Sequence, residues 1–249
     1  MQVYNNKPTA GLLKRIDMAR KVKQAEYETR RTDILEAAQR LVYSKGYEQM
    51  SIQDILAELH ISKGAFYHYF DSKQALLEAL IERMANQVIQ LLVPIVEDER
   101  LPAPEKLQRL FDAASRWKTD HKDVLLTLVR VWYTDKNAIL RLKAESAVLP
   151  LIAPLLTTIV CQGVKEGVFH TGFPDQTSCI VFSILQSFGD ALVPLILQHE
   201  TDPEAFGRLE TLSASHQEAV ERILGAETGS LPLFDTRILR EWFPFSNST

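Results

Sequence analysis

At 249 residues the chain is long enough for one large domain or two modest ones, at roughly 100–200 residues each. Hydrophobic residues at 46% and charged residues at 24% exclude a disordered or collagen-like chain, and two cysteines, Cys161 and Cys179, exclude a disulfide scaffold. The net charge of −4 hides an asymmetry: residues 1–73 carry +3, a basic stretch over 1–31 alone carrying +5, and the remainder carries −7. A basic front before an acidic body points to a polyanion partner for the front alone.

The apolar run over residues 91–96 stops at Glu97 and Asp98, far short of the roughly 20 residues that cross a bilayer, so no membrane partner is expected. The polar N-terminus has no apolar signal region, which predicts a cytoplasmic chain. Both cysteines lie in apolar helical patterns and read as reduced core thiols.

Apolar residues recur at helical spacing throughout, without sustained alternation, so the fold class is all-α. The first helix is predicted from Thr32 to Ser44, where Ile34, Ala37, Ala38, Leu41 and Val42 form one stripe, with Gly46 as its stop. Ser51 is an N-cap with Asp54 at the capping-box position, opening a short helix through Leu59. Ser62 caps a third over Lys63–Tyr69, and a long fourth begins near Lys73 and is expected to break at Pro94. Helical patterns resume over 105–119, 122–134 and 137–147. Pro150 and Pro154 predict a new start or a kink, and the helix beyond them ends at Gly167. Pro174 opens a helix to about Gln198 and Pro203 one to Leu224, with Phe206, Leu209, Leu212, Ala219 and Ile223 on one face. Gly225–Ser230 reads as a linker and 231–245 as an apolar tail able to dock. The predicted organisation is a basic arm over 1–27, a helix-turn-helix domain over 28–75, a larger domain over 76–225 and a tail over 226–249.

Two short helices joined by a tight turn form the arrangement that lays a helix in the DNA major groove. The run Ser51-Ile52-Gln53-Asp54-Ile55-Leu56-Ala57-Glu58-Leu59-His60-Ile61-Ser62-Lys63-Gly64-Ala65-Phe66-Tyr67-His68-Tyr69-Phe70, followed by Ser72-Lys73 and Leu76-Leu77, strongly resembles the tetracycline-repressor (TetR/AcrR) family of transcriptional regulators. Resemblance is close over about 31–80. Elsewhere it rests on helical layout and on Gly163-Val164-Lys165-Glu166-Gly167-Val168-Phe169, which looks like the family's turn before its dimerisation helices. Two departures stand out: His60 replaces the usual turn glycine, and Leu56 and Leu59 replace small alanines.

The resemblance implies that Ser51, Ser62, Tyr67, His68 and Lys73 reach phosphates, which set register, while Lys63, Gly64 and Ala65 lie against base edges, which set sequence choice. Arg30 and Arg31, at the head of the first helix, are placed for backbone or minor-groove contact. Read as residues alone, Tyr67 and Tyr69 fit a core edge as well as a surface contact, and His68 fits a solvated imidazole.

The resemblance further implies a homodimer, joined through the last two long helices at Ile184, Phe188, Leu192, Leu209 and Ile223, although their apolar faces also fit burial within one chain. A small-molecule effector is expected among helices 105–190. Phe111, Trp117, Trp132, Tyr133 and Phe182 would form aromatic walls and Arg116, His121 and Gln186 polar anchors, a set that fits an ordinary core equally well. The expected function is a repressor released from a palindromic double-stranded operator by that effector; the alternative is an architectural or division-associated DNA-binding protein with no inducer. No nucleophile–base pair, phosphate-cradling loop or metal-ligand spacing is visible, so no catalysis, cofactor or metal is expected.

Overall fold

The computed structural model describes residues 10–133, 138–198 and 204–243. They form helices α1 (Ala10–Lys45), α2 (Ile52–Leu59), α3 (Lys63–Tyr67), α4 (Lys73–Glu97), α5 (Ala103–Asp120), α6 (Lys122–Trp132), α7 (Ala138–Glu166), α8 (Pro174–Gln198), α9 (Ala205–Leu224) and α10 (Thr236–Arg240). No strand occurs among the described residues, so the fold is all-α as expected.

The chain divides into two compact units, Met1–Leu80 and Ile81–Thr249. In the first, α1 supplies Ile34, Leu35, Ala37, Ala38 and Val42, α2 supplies Ile55 and Leu56, and Phe66 and Phe70 close the small core with Leu76 and Leu77. Phe66 is fully enclosed, and truncating such a ring costs about 3–5 kcal/mol. Polar links brace α2 against α1: Arg40 donates to Glu58 at 2.8 Å and Lys45 pairs with Asp54 at 2.7 Å.

Helix α1 starts 22 residues before the predicted Thr32. Its first half has no apolar stripe to reveal it, but it is rich in Lys, Arg, Gln, Glu and Ala, all good helix formers, and local bonds such as Gln24 to Glu28 support it. The helix ends where expected, with Gly46 at φ 80° and its N–H donated to the Val42 carbonyl.

In the second unit one core gathers Leu92 and Val96 from α4, Leu107, Leu110 and Phe111 from α5, Leu156, Ile159 and Val160 from α7, Val181 and Phe182 from α8, and Val220 and Leu224 from α9. Helix α4 runs through Pro94 and α7 runs through Pro150 and Pro154, so neither the break expected at Pro94 nor a new helix start at the proline pair occurs. Pro150 and Pro154 stand four apart, so the carbonyl that Pro154 cannot bond is that of Pro150, and the two disruptions fall in consecutive turns with both prolines facing water. Packing of Leu149, Ile152, Leu155 and Leu156 on the other side holds the helix through it.

The expectation about membrane-spanning length also needs correction. Lys73–Glu97, Val148–Glu166 and Pro174–Leu197 are each long and apolar enough to cross a membrane, by length and composition alone. An uninterrupted apolar run is a stricter condition than a spanning helix has to meet, and these helices mix small and uncharged polar residues among apolar ones. Parts of all three contribute to the core just described.

The tail docks on its own unit. Leu231 and Leu233 enter the main core, while Leu239 and Phe243 form a second cluster with Phe188, Ile196, Ala205 and Leu209. Phe234 stacks on Phe188 with centroids 4.2 Å apart and meets Phe111 edge-on at 5.9 Å. Lys122 donates to the Glu241 carbonyl and Trp242 Nε1 to Thr119 Oγ1, fixing the end of the tail beside α5 and α6.

Candidate nucleic-acid interface

The pair α2 and α3 is bounded by three caps. Ser51 Oγ accepts the Asp54 N–H at 3.2 Å while Asp54 Oδ2 accepts the Ser51 N–H at 2.7 Å, a reciprocal box that satisfies the exposed donors of the α2 N-terminus. Hydrogen bonds from Lys45 first, and then from Ser51, hold the Asp54 carboxyl well below the usual carboxylate range. His60 ends α2 in the left-handed region, φ 51° and ψ 41°, with its N–H on the Leu56 carbonyl. The histidine thus adopts the backbone of the glycine it replaces, and the turn keeps its shape. Leu56 points into the core and Leu59 is half-buried, so the larger side chains are absorbed by packing.

Ser62 then caps α3, accepting the Ala65 N–H at 3.1 Å. Helix α3 is two residues shorter than predicted, and His68 is its C-cap, with its N–H on the Gly64 carbonyl. Phe66 points inward, which turns Lys63, Gly64 and Tyr67 to solvent, with Tyr67 41% exposed and Ala65 half-buried beside them. A Cβ on Gly64 would meet nothing closer than Ser62 Oγ at 3.9 Å, so the fold itself leaves that spot open. One edge of the small unit therefore presents a cation, two nearly bare backbone positions and a phenol, with Ser51, Ser62 and His68 also exposed.

Other predicted contact residues are engaged within the chain. The Lys73 ammonium lies 4.3 Å from the Tyr47 ring centroid and donates to the Glu48 carbonyl, which ties the start of α4 to the turn after α1. Burial, then the neighbouring Glu48 charge, pushes the Tyr47 phenol up to about 12. The Arg31 guanidinium lies 5.2 Å from the Phe70 ring centroid, and Arg30 stays exposed with Asp33 at 3.7 Å. Sequence reasoning missed Tyr27, whose ring packs against Tyr69 at 4.8 Å and His68 at 5.7 Å. Its signal was a lone aromatic in an otherwise polar helical stretch.

The residues proposed for an effector pocket fall into separate settings. Phe111 and Phe182 are buried in the main core, and Phe234 from the tail covers Phe111. Trp117 stacks on His121 at 4.3 Å, and the His121 ring nitrogen Nδ1 lies 2.8 Å from the Trp117 carbonyl. Tyr133 donates to Asp190 at 2.5 Å, with Arg141 5.0 Å from its ring. Arg116 is exposed and Gln186 half-buried, while the Trp132 side chain lies outside the described residues.

Of the residues assigned to a dimer interface, Phe188 and Leu209 turn inward within the protomer because the tail fills the space beside them, and Leu192 packs on the same cluster. Ile184 and Ile223 line a shallow surface groove between α8 and α9 with Ser215, Glu218, Ala219 and Arg222. Ile180 at 45% exposure and Ile223 at 38% are apolar positions that these helices leave to solvent. Cys161 is half-buried and Cys179 is exposed on α8, so Cys179 is not the core thiol its apolar neighbours suggested.

Residues 34–80 match the family model described as bacterial regulatory proteins, tetR family. These residues, from the second half of α1 to the start of α4, are a tetR-family domain. The HTH-type transcriptional regulator YerO of Bacillus subtilis is 36% identical over 97 residues, covering 39% of this chain and 34% of that protein. The HTH-type transcriptional repressor NemR of Escherichia coli is 36% identical over 75 residues, 30% of this chain and 37% of NemR. These matches span about a third of each relative. Bacillus subtilis FadR, solved in complex with stearoyl-CoA, aligns over 73% of this chain and 96% of its own, with TM-score 0.54 and 18% identity, which shows a shared fold. The helix-turn-helix described above lies within that tetR-family match, and beyond it the likeness to FadR is one of fold.

Proposed function

We propose that this tetR-family chain is a homodimeric transcriptional repressor that binds a palindromic operator in duplex DNA and leaves it when a small molecule occupies the second unit. The observation that carries this reading is the N-terminal end of α3. Ser62 fixes its backbone, and Lys63, Gly64 and Tyr67 stand in solvent on a helix whose opposite side is anchored by Phe66. A lysine flanked by positions with little or no side chain suits a helix that must approach base edges closely. Exposed Ser51, Ser62, Tyr67 and His68, with Arg30 beyond them, surround it with phosphate-directed groups.

Relatives named as regulators, one of them a repressor, support the regulatory role, and FadR supports a small-molecule ligand for this architecture. Dimerisation through the α8–α9 surface around Ile184 and Ile223 follows the two-fold logic of palindromic sites. Effector and operator then oppose each other, each weakening the other's binding by the same factor.

The test is selection of genomic fragments by the purified protein at physiological salt, followed by binding of the recovered site to Gly64→Ala. A shared palindrome that the variant binds at least tenfold more weakly, with unchanged melting, is the expected result. Fragments without a common site would favour an architectural role and overturn the reading.

A further inference from the structure

The N-terminal half of α1 carries more charge than the small core can use, and its arrangement is specific. Arg20, Lys23, Tyr27 and Arg30 follow one another at spacings of three, four and three residues, which puts them on one face of the helix. That face borders an open cleft of about 1000 Å³ whose other wall is His68 and Tyr69, the residues that end α3. Three cations and one carboxylate, Glu26, line it, so the cleft is net basic. Tyr27 holds its two walls together by packing its ring on His68 and Tyr69.

We propose that this cleft is a second nucleic-acid site, which grips the phosphodiester backbone of duplex flanking the core operator. The inference rests on the DNA-binding reading above and extends it from His68 and Arg30 to Arg20, Lys23 and Tyr27, outside the helix-turn-helix. The cleft is open along one side, as a continuous strand requires, and it is lined by cations and phenols in place of the base-reading groups found at the start of α3. From Arg20 to Arg30 the helix rises about 15 Å, the axial length of about four nucleotides of one strand. Tyr27 acts as a positioning residue that keeps the basic face beside α3.

The test uses the full chain and the selected operator in two duplexes, the palindrome alone and the palindrome with flanks of about ten base pairs on each side. Affinity is read by fluorescence anisotropy over a salt series. Wild type should bind the longer duplex roughly tenfold more tightly and with a steeper salt slope. Arg20→Gln with Lys23→Gln should abolish that gain and reduce the slope on the longer duplex by about 3–4 for a dimer, at about 0.9 per phosphate released, while binding the short duplex as wild type does. Tyr27→Ala should lose the gain with every cation in place, and Tyr27→Phe should keep it. Equal affinity of wild type for both duplexes, or an equal loss by the double variant on both, overturns the proposal and leaves the operator reading standing. Tight binding of inorganic pyrophosphate that disappears in the double variant would reassign the cleft to a free anion and overturn it too. Absence of any specific site in the selection would remove the operator reading, and this proposal with it.

Discussion

The Glu221 carboxylate is buried on α9 and accepts the backbone N–H groups of both Gly229 and Leu231, at 2.8 and 3.0 Å. Hydrogen bonds to a charged acceptor contribute about 1.5–3 kcal/mol each, and their loss here would also strand two amides. Glu221→Ala should therefore destabilise the second unit by about 3 kcal/mol in urea denaturation. It should also shift the emission of Trp242 to the red as the tail loosens. An unshifted spectrum with normal stability would show that the tail is fixed without the Glu221 carboxylate.

A Cβ added at Gly163 would lie 2.1 Å from Cδ2 of Phe169, whose ring is itself buried. Neither group has room to yield. Gly163→Ala should cost about 3 kcal/mol, the upper end for overpacking, and adding Phe169→Leu should restore part of it. Thermal melting of the two variants side by side checks the pairing, and an unimproved double variant would place the strain elsewhere.

His60 holds φ 51° on an L-residue. That conformation costs roughly 1–2 kcal/mol, against the 0.5–1 kcal/mol of extra chain entropy a glycine loses on folding. His60→Gly should accordingly raise stability by about 0.5–1 kcal/mol. Urea midpoints compare the two directly, and a fall in midpoint would mean that the imidazole contributes a contact outweighing its backbone strain.

Asp54 should make the helix-turn-helix sensitive to acid. Its native carboxyl is held well below the usual range by Lys45 and Ser51, so on acidification the unfolded chain takes up the proton first. The stabilisation is present above about pH 4 and is lost as pH falls toward the depressed native value. Amide exchange of α2 over this range should quicken in wild type and change far less in Asp54→Asn. Reading α2 itself separates the effect from Asp98 and Asp235, which arginines depress in the same way in the other unit.

The parts of this fold that were legible in the sequence are those where a local rule is also the tertiary rule. Ser51 and Ser62 cap the helices they were expected to cap, Gly46 and Gly225 end theirs, and Phe66 and Phe70 fill the small core. What was not legible is where packing overrides local preference. Pro94, Pro150 and Pro154 remain within helices because neighbouring elements hold the chain on both sides of them. The first half of α1 has helix-forming residues without an apolar stripe, so periodicity could not find it. At the interface, the motif located α3 and its exposed residues. It could not show that Lys73 is drawn to Tyr47, that Arg31 lies over Phe70, or that Tyr27 joins the end of α3, because these partners sit 26, 39 and 41 residues away in the chain.

The tail that completes the larger core sets an order on synthesis. Leu231, Leu233, Leu239 and Phe243 are among the last described residues to leave the ribosome, yet they cover surfaces of α5 and α8 made well before, together with that of α9. At about 5–20 residues per second, on the order of 10 s or more separates the emergence of Leu80 from that of Phe243. During that interval the nascent chain exposes a sticky half-built body behind a head whose core residues have all emerged. A stop codon a few residues upstream of Phe234 would make that transient state permanent, so quality control should act on such truncations far more severely than on equal losses from the start of α1.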